Sequence, residues 1–74
     1  MKQQVKDALL NVKPEVNVDS SQLISDGELD SLDIMNLVME LEDTFDIEID
    51  PEDVMSDNFE SVEAIVALVE KCKN

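Results

Sequence analysis

The chain contains no histidine and no arginine, and it has one cysteine, one glycine and two prolines. Without histidine, Ser-His-Asp and Cys-His catalysis are excluded, as are His-containing zinc sites. A single cysteine, Cys72, permits neither an internal disulfide nor a cysteine cluster, which fits a reducing compartment. Positive charge is also scarce: five lysines stand against 19 acids, for a formal net charge of −14. Nucleic acid and anionic membrane surfaces require a positive face, so neither is an expected partner. Long apolar runs are missing too. The stretch from Met1 to Leu10 carries Lys2, Lys6 and Asp7, which argues against a signal peptide, and nothing approaches a membrane span. The expected location is the cytosol, with no membrane insertion.

What is present is a chain of 74 residues, 43% of them hydrophobic, read as a single domain over 1–74. That is too apolar for a disordered acidic tail. Domains of this size rarely build a core worth more than roughly 3–5 kcal/mol. Such a core leaves no room for a deep substrate pocket. The charge of −14 adds self-repulsion and predicts marginal stability at low salt, improved by salt or divalent cations.

With so few glycines and prolines, apolar periodicity carries the structural reading. Val5, Ala8, Leu9 and Val12 mark one face of a first helix over Lys2 to Val12, which Pro14 ends. A long loop follows to Asp30, pinned by Val16, Val18, Leu23, Ile24 and Leu29. A second helix is expected from Ser31 to Phe45, with Asp30 as N-cap and Asp33 in its first turn. Its inward stripe is Ile34, Leu37, Val38, Leu41 and Phe45. Asp46 to Asp50 alternates like a strand but has no evident partner, and reads as an extended linker with Ile47 or Ile49 turned inward. Pro51 opens a short third helix over Glu52 to Ser56, with Val54 or Met55 facing in. The last helix begins near Ser61, and Val62, Ile65, Val66 and Val69 make its apolar face. The expected class is all-α: three main helices, a short helix between the second and last, and a long first loop, making a small four-helix bundle.

The most unusual local arrangement is Asp26-Gly27-Glu28-Leu29-Asp30-Ser31-Leu32. Ser31 falls at the first residue of a helix, where backbone N–H groups have no intrahelical partner. A phosphate ester on Ser31 would meet those donors and the positive end of the helix dipole. A serine nucleophile is not expected, since no base is available to activate it. Leu32, Met35 and Met39 fall outside the inward stripe, on the side nearer Ser31, with Glu42 and Asp43 one turn further on. An apolar strip with two methionines, rimmed by acids, reads as a docking surface for basic partners. The bland readings are a plain helix-start serine, and methionines that belong to a wider core or a dimer seam. An EF-hand over Asp46 to Asp57 fails, because its sixth position is Pro51 and its last is Asp57. Cys72 reads as a bystander.

Asp30-Ser31-Leu32-Asp33, followed by an amphipathic helix ending in Leu41-Glu42-Asp43-Thr44-Phe45-Asp46-Ile47-Glu48-Ile49, closely resembles the acyl carrier proteins. The resemblance extends to helix order, long first loop, acidity and size. It implies that Ser31 receives a 4′-phosphopantetheine arm from coenzyme A through a phosphopantetheinyl transferase, with Asp30 and Leu32 beside the attachment point. The arm's thiol would hold an acyl or aminoacyl group as a thioester. The same resemblance makes Leu32, Asp33, Met35, Asn36, Met39, Glu42, Asp43 and Met55 partner-facing positions, toward loading and transfer enzymes with basic docking surfaces. Asn36 stands where many fatty-acid carriers have an acid. Met55 matches a region that often borders the cargo. Gly27 lies two residues further from Asp30 than in many fatty-acid carriers, a spacing more like freestanding aminoacyl, D-alanyl and some polyketide carriers.

The resulting expectation is a monomeric carrier with no catalysis of its own, holding no metal and serving fatty acid, polyketide or related biosynthesis. Two alternatives stand beside it: an aminoacyl or peptidyl-type carrier, and an unmodified acidic interaction module using the methionine strip alone.

Overall fold

The computed structural model describes residues 1–73. Three α-helices, α1 (Lys2–Val12), α2 (Ser31–Phe45) and α3 (Val62–Lys73), carry the architecture, and α1 packs against both others. No strand occurs among the described residues. The first two helices occupy the spans that periodicity predicts. α1 ends because Pro14 forces Lys13 into extended geometry, φ −146° and ψ 96°. α2 begins in a reciprocal capping box. The Asp30 carboxylate accepts the Asp33 N–H at 2.9 Å, and the Asp33 carboxylate accepts the Asp30 N–H at 3.3 Å. It ends at Asp46, whose left-handed conformation lets the Ile47 N–H reach the Glu42 carbonyl at 3.1 Å. α3 starts where expected, with the Ser61 hydroxyl accepting the Ala64 N–H at 3.1 Å.

Val5, Ala8 and Leu9 of α1, Leu37 and Leu41 of α2, and Val62, Ile65, Leu68 and Val69 of α3 close into one core. Val16, Leu23 and Leu29 anchor the long loop to it, with Val18 and Ile24 half-buried against its edge. In the linker Ile49 is buried and Ile47 half-buried, with no partner strand. Phe59 is the largest fully buried side chain.

The expected short helix after Pro51 does not form as one helix. Two 3-10 turns, Pro51–Asp53 and Ser56–Phe59, stand in its place, so the bundle has three α-helices rather than four. The hydrogen bonds show why. The Asp53 N–H reaches the Asp50 carbonyl at 2.8 Å and the Val54 N–H the Pro51 carbonyl at 3.2 Å, both three residues back. The Asp53 carbonyl, which an α-helix would offer to residue 57, instead accepts the Met55 N–H and the Asn58 side-chain amide. Neither Val54 nor Met55 then turns inward. They are 36% and 57% exposed, and Phe59 takes the core position expected of one of them.

Candidate functional site

Ser31 is exposed at the first position of the 15-residue α2. The loop that delivers it is tied down at several points. Gly27, at φ +77°, closes a turn in which its N–H bonds the Ile24 carbonyl at 3.0 Å, while Leu29 N–H returns to the Leu23 carbonyl at 3.0 Å. Further back, the Glu60 carboxylate accepts the Ile24 N–H at 2.8 Å, the Ser25 N–H at 3.0 Å and the Ser25 hydroxyl at 2.7 Å. The Glu60 carbonyl accepts the Leu23 N–H at 2.8 Å. The Ser25 hydroxyl bond, with the backbone donors behind it, holds the Glu60 carboxyl below the usual glutamate range.

At Ser31 itself, the third and fourth donors of the helix start are already used. Asp33 N–H goes to the Asp30 side chain and Ile34 N–H to the Asp30 carbonyl. The Ser31 and Leu32 N–H groups precede any intrahelical acceptor and remain for a ligand. The charges around them are mixed. Asp30 and Asp33 bring two carboxylates to the first turn, and Lys13 from the end of α1 stands 4.0 Å from Asp33 Oδ2. A phosphodiester on Ser31 would meet two free donors and the positive end of the helix dipole, so the donor set fits such a group.

Along α2 from Ser31, Leu32, Met35 and Met39 are 66%, 63% and 59% exposed. That exposure excludes the wider-core reading of the methionines. Asp43 is exposed beyond them and Asn36 is half-buried. Glu42 differs from a free rim acid. Its carboxylate accepts the Ile49 N–H at 2.9 Å and so holds the linker against α2. Between α2 and the Pro51 turn lies an apolar groove of about 250 Å³, lined by Met35, Val38, Met39, Ile49, Pro51 and Val54. Val54 rather than Met55 borders this groove, and Met55 projects from the surface. Cys72 leans on the core, and burial is the first cause that pushes its thiol above the usual range. No group of three metal-ligating side chains occurs among the described residues, and no described helix is long and apolar enough to cross a membrane.

Ser31, Asp30, Asp33 and the methionine strip lie at the start of α2 and along it, with the cap and the exposures that the sequence predicts. Sequence reading misses Lys13 and Glu60, which hold the loop. Lys13 carried a usable signal, as a lone cation next to Pro14 in an acidic chain. The pairing of Glu60 with the loop carried none, because its partners lie 35 and 36 residues away.

Comparison with known proteins adds an independent line. Residues 3–69 match the family model described as the phosphopantetheine attachment site. The chain is 37% identical over 70 residues to the acyl carrier protein of Bdellovibrio bacteriovorus, covering 90% of this chain and 87% of that one. It is 39% identical over 62 residues to the acyl carrier protein of Campylobacter curvus, covering 84% and 78%. It is 44% identical over 45 residues to that of Buchnera aphidicola, covering 61% and 57%. In this last match and others like it, the chain spans little more than half the length of the relative. No solved structure matches. An exposed serine opening a capped helix beside an apolar strip, within residues that match an attachment-site model almost end to end, places the chain in the acyl carrier protein family, whose members are carriers bearing covalent 4′-phosphopantetheine.

Proposed function

We propose that Ser31 is the attachment point of 4′-phosphopantetheine and that the chain carries acyl groups between enzymes. The observation that carries this is the exposed Ser31 at the start of α2, with two free backbone donors and an exposed Leu32-Met35-Met39 strip beside it. When attached, the arm supplies a terminal thiol that holds cargo as a thioester. The chain's own residues do the rest. Ser31 Oγ would provide the ester oxygen, and the Ser31 and Leu32 N–H groups would be the donors available to its phosphate. Asp30 and Asp33 cap the helix that presents it. With no histidine in the chain, activation of the Ser31 hydroxyl falls to the modifying enzyme.

The partners in this reading are a phosphopantetheinyl transferase and acyl-loading and transfer enzymes. Leu32, Met35 and Met39 offer the apolar contact, and Asp43 supplies long-range attraction to a basic surface. Asp33, Asn36 and Glu42 lie along the same helix, with Glu42 contributing through its hold on the linker, and Met55 is exposed after the Pro51 turn.

Two observations favour acyl over aminoacyl cargo. The relatives bear the name acyl carrier protein. The groove beside α2 is lined wholly by apolar side chains and suits a hydrocarbon chain. The displaced glycine does not weigh against this, since Gly27 serves the backbone turn at φ +77°. Its position follows from loop geometry.

The test is intact mass after incubation with coenzyme A, magnesium and a broad-specificity phosphopantetheinyl transferase. The wild-type chain gains one phosphopantetheine. Ser31→Ala, which alters only an exposed hydroxyl, keeps its circular dichroism spectrum and gains nothing. No gain on the wild type, with a reference carrier loaded in the same tube, overturns the reading in favour of an unmodified acidic interaction module.

A further inference from the structure

We propose that Lys13 is a positioning residue of the Ser31 site, holding the loop and the first turn of α2 in place from the end of α1. The proposal rests on the carrier reading of Ser31 and adds to it the residue that keeps the site in shape.

Lys13 reaches both sides of the serine. Its ammonium donates to the Glu28 carbonyl, three residues before Ser31, and lies 4.0 Å from Asp33 Oδ2, two residues after it. The Glu28 carboxylate in turn accepts the Asn17 N–H at 3.2 Å, so the contact also ties the near end of the loop to its far end. Asp33 is half of the capping box. One side chain therefore links the end of α1, the loop and the cap of α2.

The electrostatics explain why a cation is needed there. Asp26, Glu28, Asp30 and Asp33 crowd four negative charges into eight residues around Ser31. The reciprocal box sets Asp30 and Asp33 in the same turn, where they repel each other and any phosphate that approaches. The helix dipole offsets part of this. Among the ion pairs of the described residues, only that of Lys13 involves the first turn of α2. It is also the most sheltered, with side-chain exposures of 34% and 21% against 58% and 72% for Lys2 and Glu63. Its proline neighbour contributes as well. Pro14 keeps Lys13 extended at the end of α1, and that bend turns the chain back toward the loop.

The experiment compares the full-length chain with Lys13→Met, which keeps the apolar stem, and Lys13→Arg, which keeps the charge. Solvent exchange of the Asp30 and Asp33 amides is read by NMR, and the transferase-catalysed loading rate is measured across a salt series. In Lys13→Met the two amides exchange about tenfold faster, the effect of one lost charge-assisted hydrogen bond. The kcat/KM for loading falls by about three- to tenfold at low salt, and the deficit narrows as salt screens the unopposed acids. Lys13→Arg restores most of both. Unchanged amide exchange in Lys13→Met overturns the proposal. So does faster exchange with wild-type loading at every salt concentration, or a loss that Lys13→Arg does not mend. If the wild-type chain takes no arm while the reference carrier does, the carrier reading fails, and the amides still decide whether Lys13 holds the turn.

Discussion

Asp46 holds a backbone conformation that suits glycine better than aspartate. At φ 53° and ψ 51° it closes α2, and it is the only non-glycine residue with positive φ among those described. A side chain in this region costs energy that glycine avoids, though aspartate tolerates it better than most. Its charge also sits at the negative end of the α2 dipole. Both terms have the same sign. Asp46→Gly is expected to stabilise the domain by about 0.5–1 kcal/mol, read as a higher urea midpoint with an unchanged slope. A lower midpoint would mean that the greater unfolded-state entropy of glycine, or a contact of the aspartate side chain, outweighs both.

Among the connecting segments, the long loop depends on Glu60. Three bonds to its carboxylate join the loop to the start of α3. These bonds favour the ionised form, so the folded-state pKa lies below the ordinary value. The sign follows by linkage. The clasp contributes fully above the ordinary glutamate range, and its contribution is lost as pH falls through that range to the lowered folded value. Total stability also carries the contributions of the remaining charges. The useful quantity is therefore a difference. The melting temperature of the wild type is expected to exceed that of Glu60→Gln at neutral pH, and the gap to close as pH falls into the acid range. A gap constant from neutral to acid pH would assign the loss to packing alone. In Glu60→Gln the amide oxygen still accepts from the backbone, but the amide nitrogen cannot accept the Ser25 hydroxyl proton.

Across the whole molecule, 19 acids face five lysines, and the ion pairs Lys2–Glu63, Lys13–Asp33 and Lys71–Asp53 relieve only part of that excess. Exposed pairs are worth about 0–1 kcal/mol each. Salt weakens them, but it weakens the repulsion among the remaining acids more, because there are many more like-charge contacts. The melting temperature is expected to rise steadily with sodium chloride from low ionic strength. A fall would show that the few pairs dominate the many repulsions. The same imbalance suits the proposed role, since a strongly acidic carrier is drawn quickly to basic enzyme surfaces and released as readily.

By itself the sequence determined the spans of α1 and α2, the cap at Asp30, the inward stripe through Leu37 and Leu41, and the exposed strip of Leu32, Met35 and Met39. These are legible because helix periodicity and capping are local, and a residue's face follows from its spacing to neighbours three and four positions away. The same locality made Ser31 stand out as the first residue of a capped helix. Only the tertiary structure decided the segment after Pro51. There a short helical pattern yields to two 3-10 turns, because Asn58 and Met55 take the Asp53 carbonyl and Phe59 fills the core. Tertiary structure also decided that Glu42 holds the linker, that Glu60 clasps the loop, and that Lys13 reaches the cap of α2. Each of these is a contact between segments whose pairing leaves no periodic trace, so it exists only once the helices have packed.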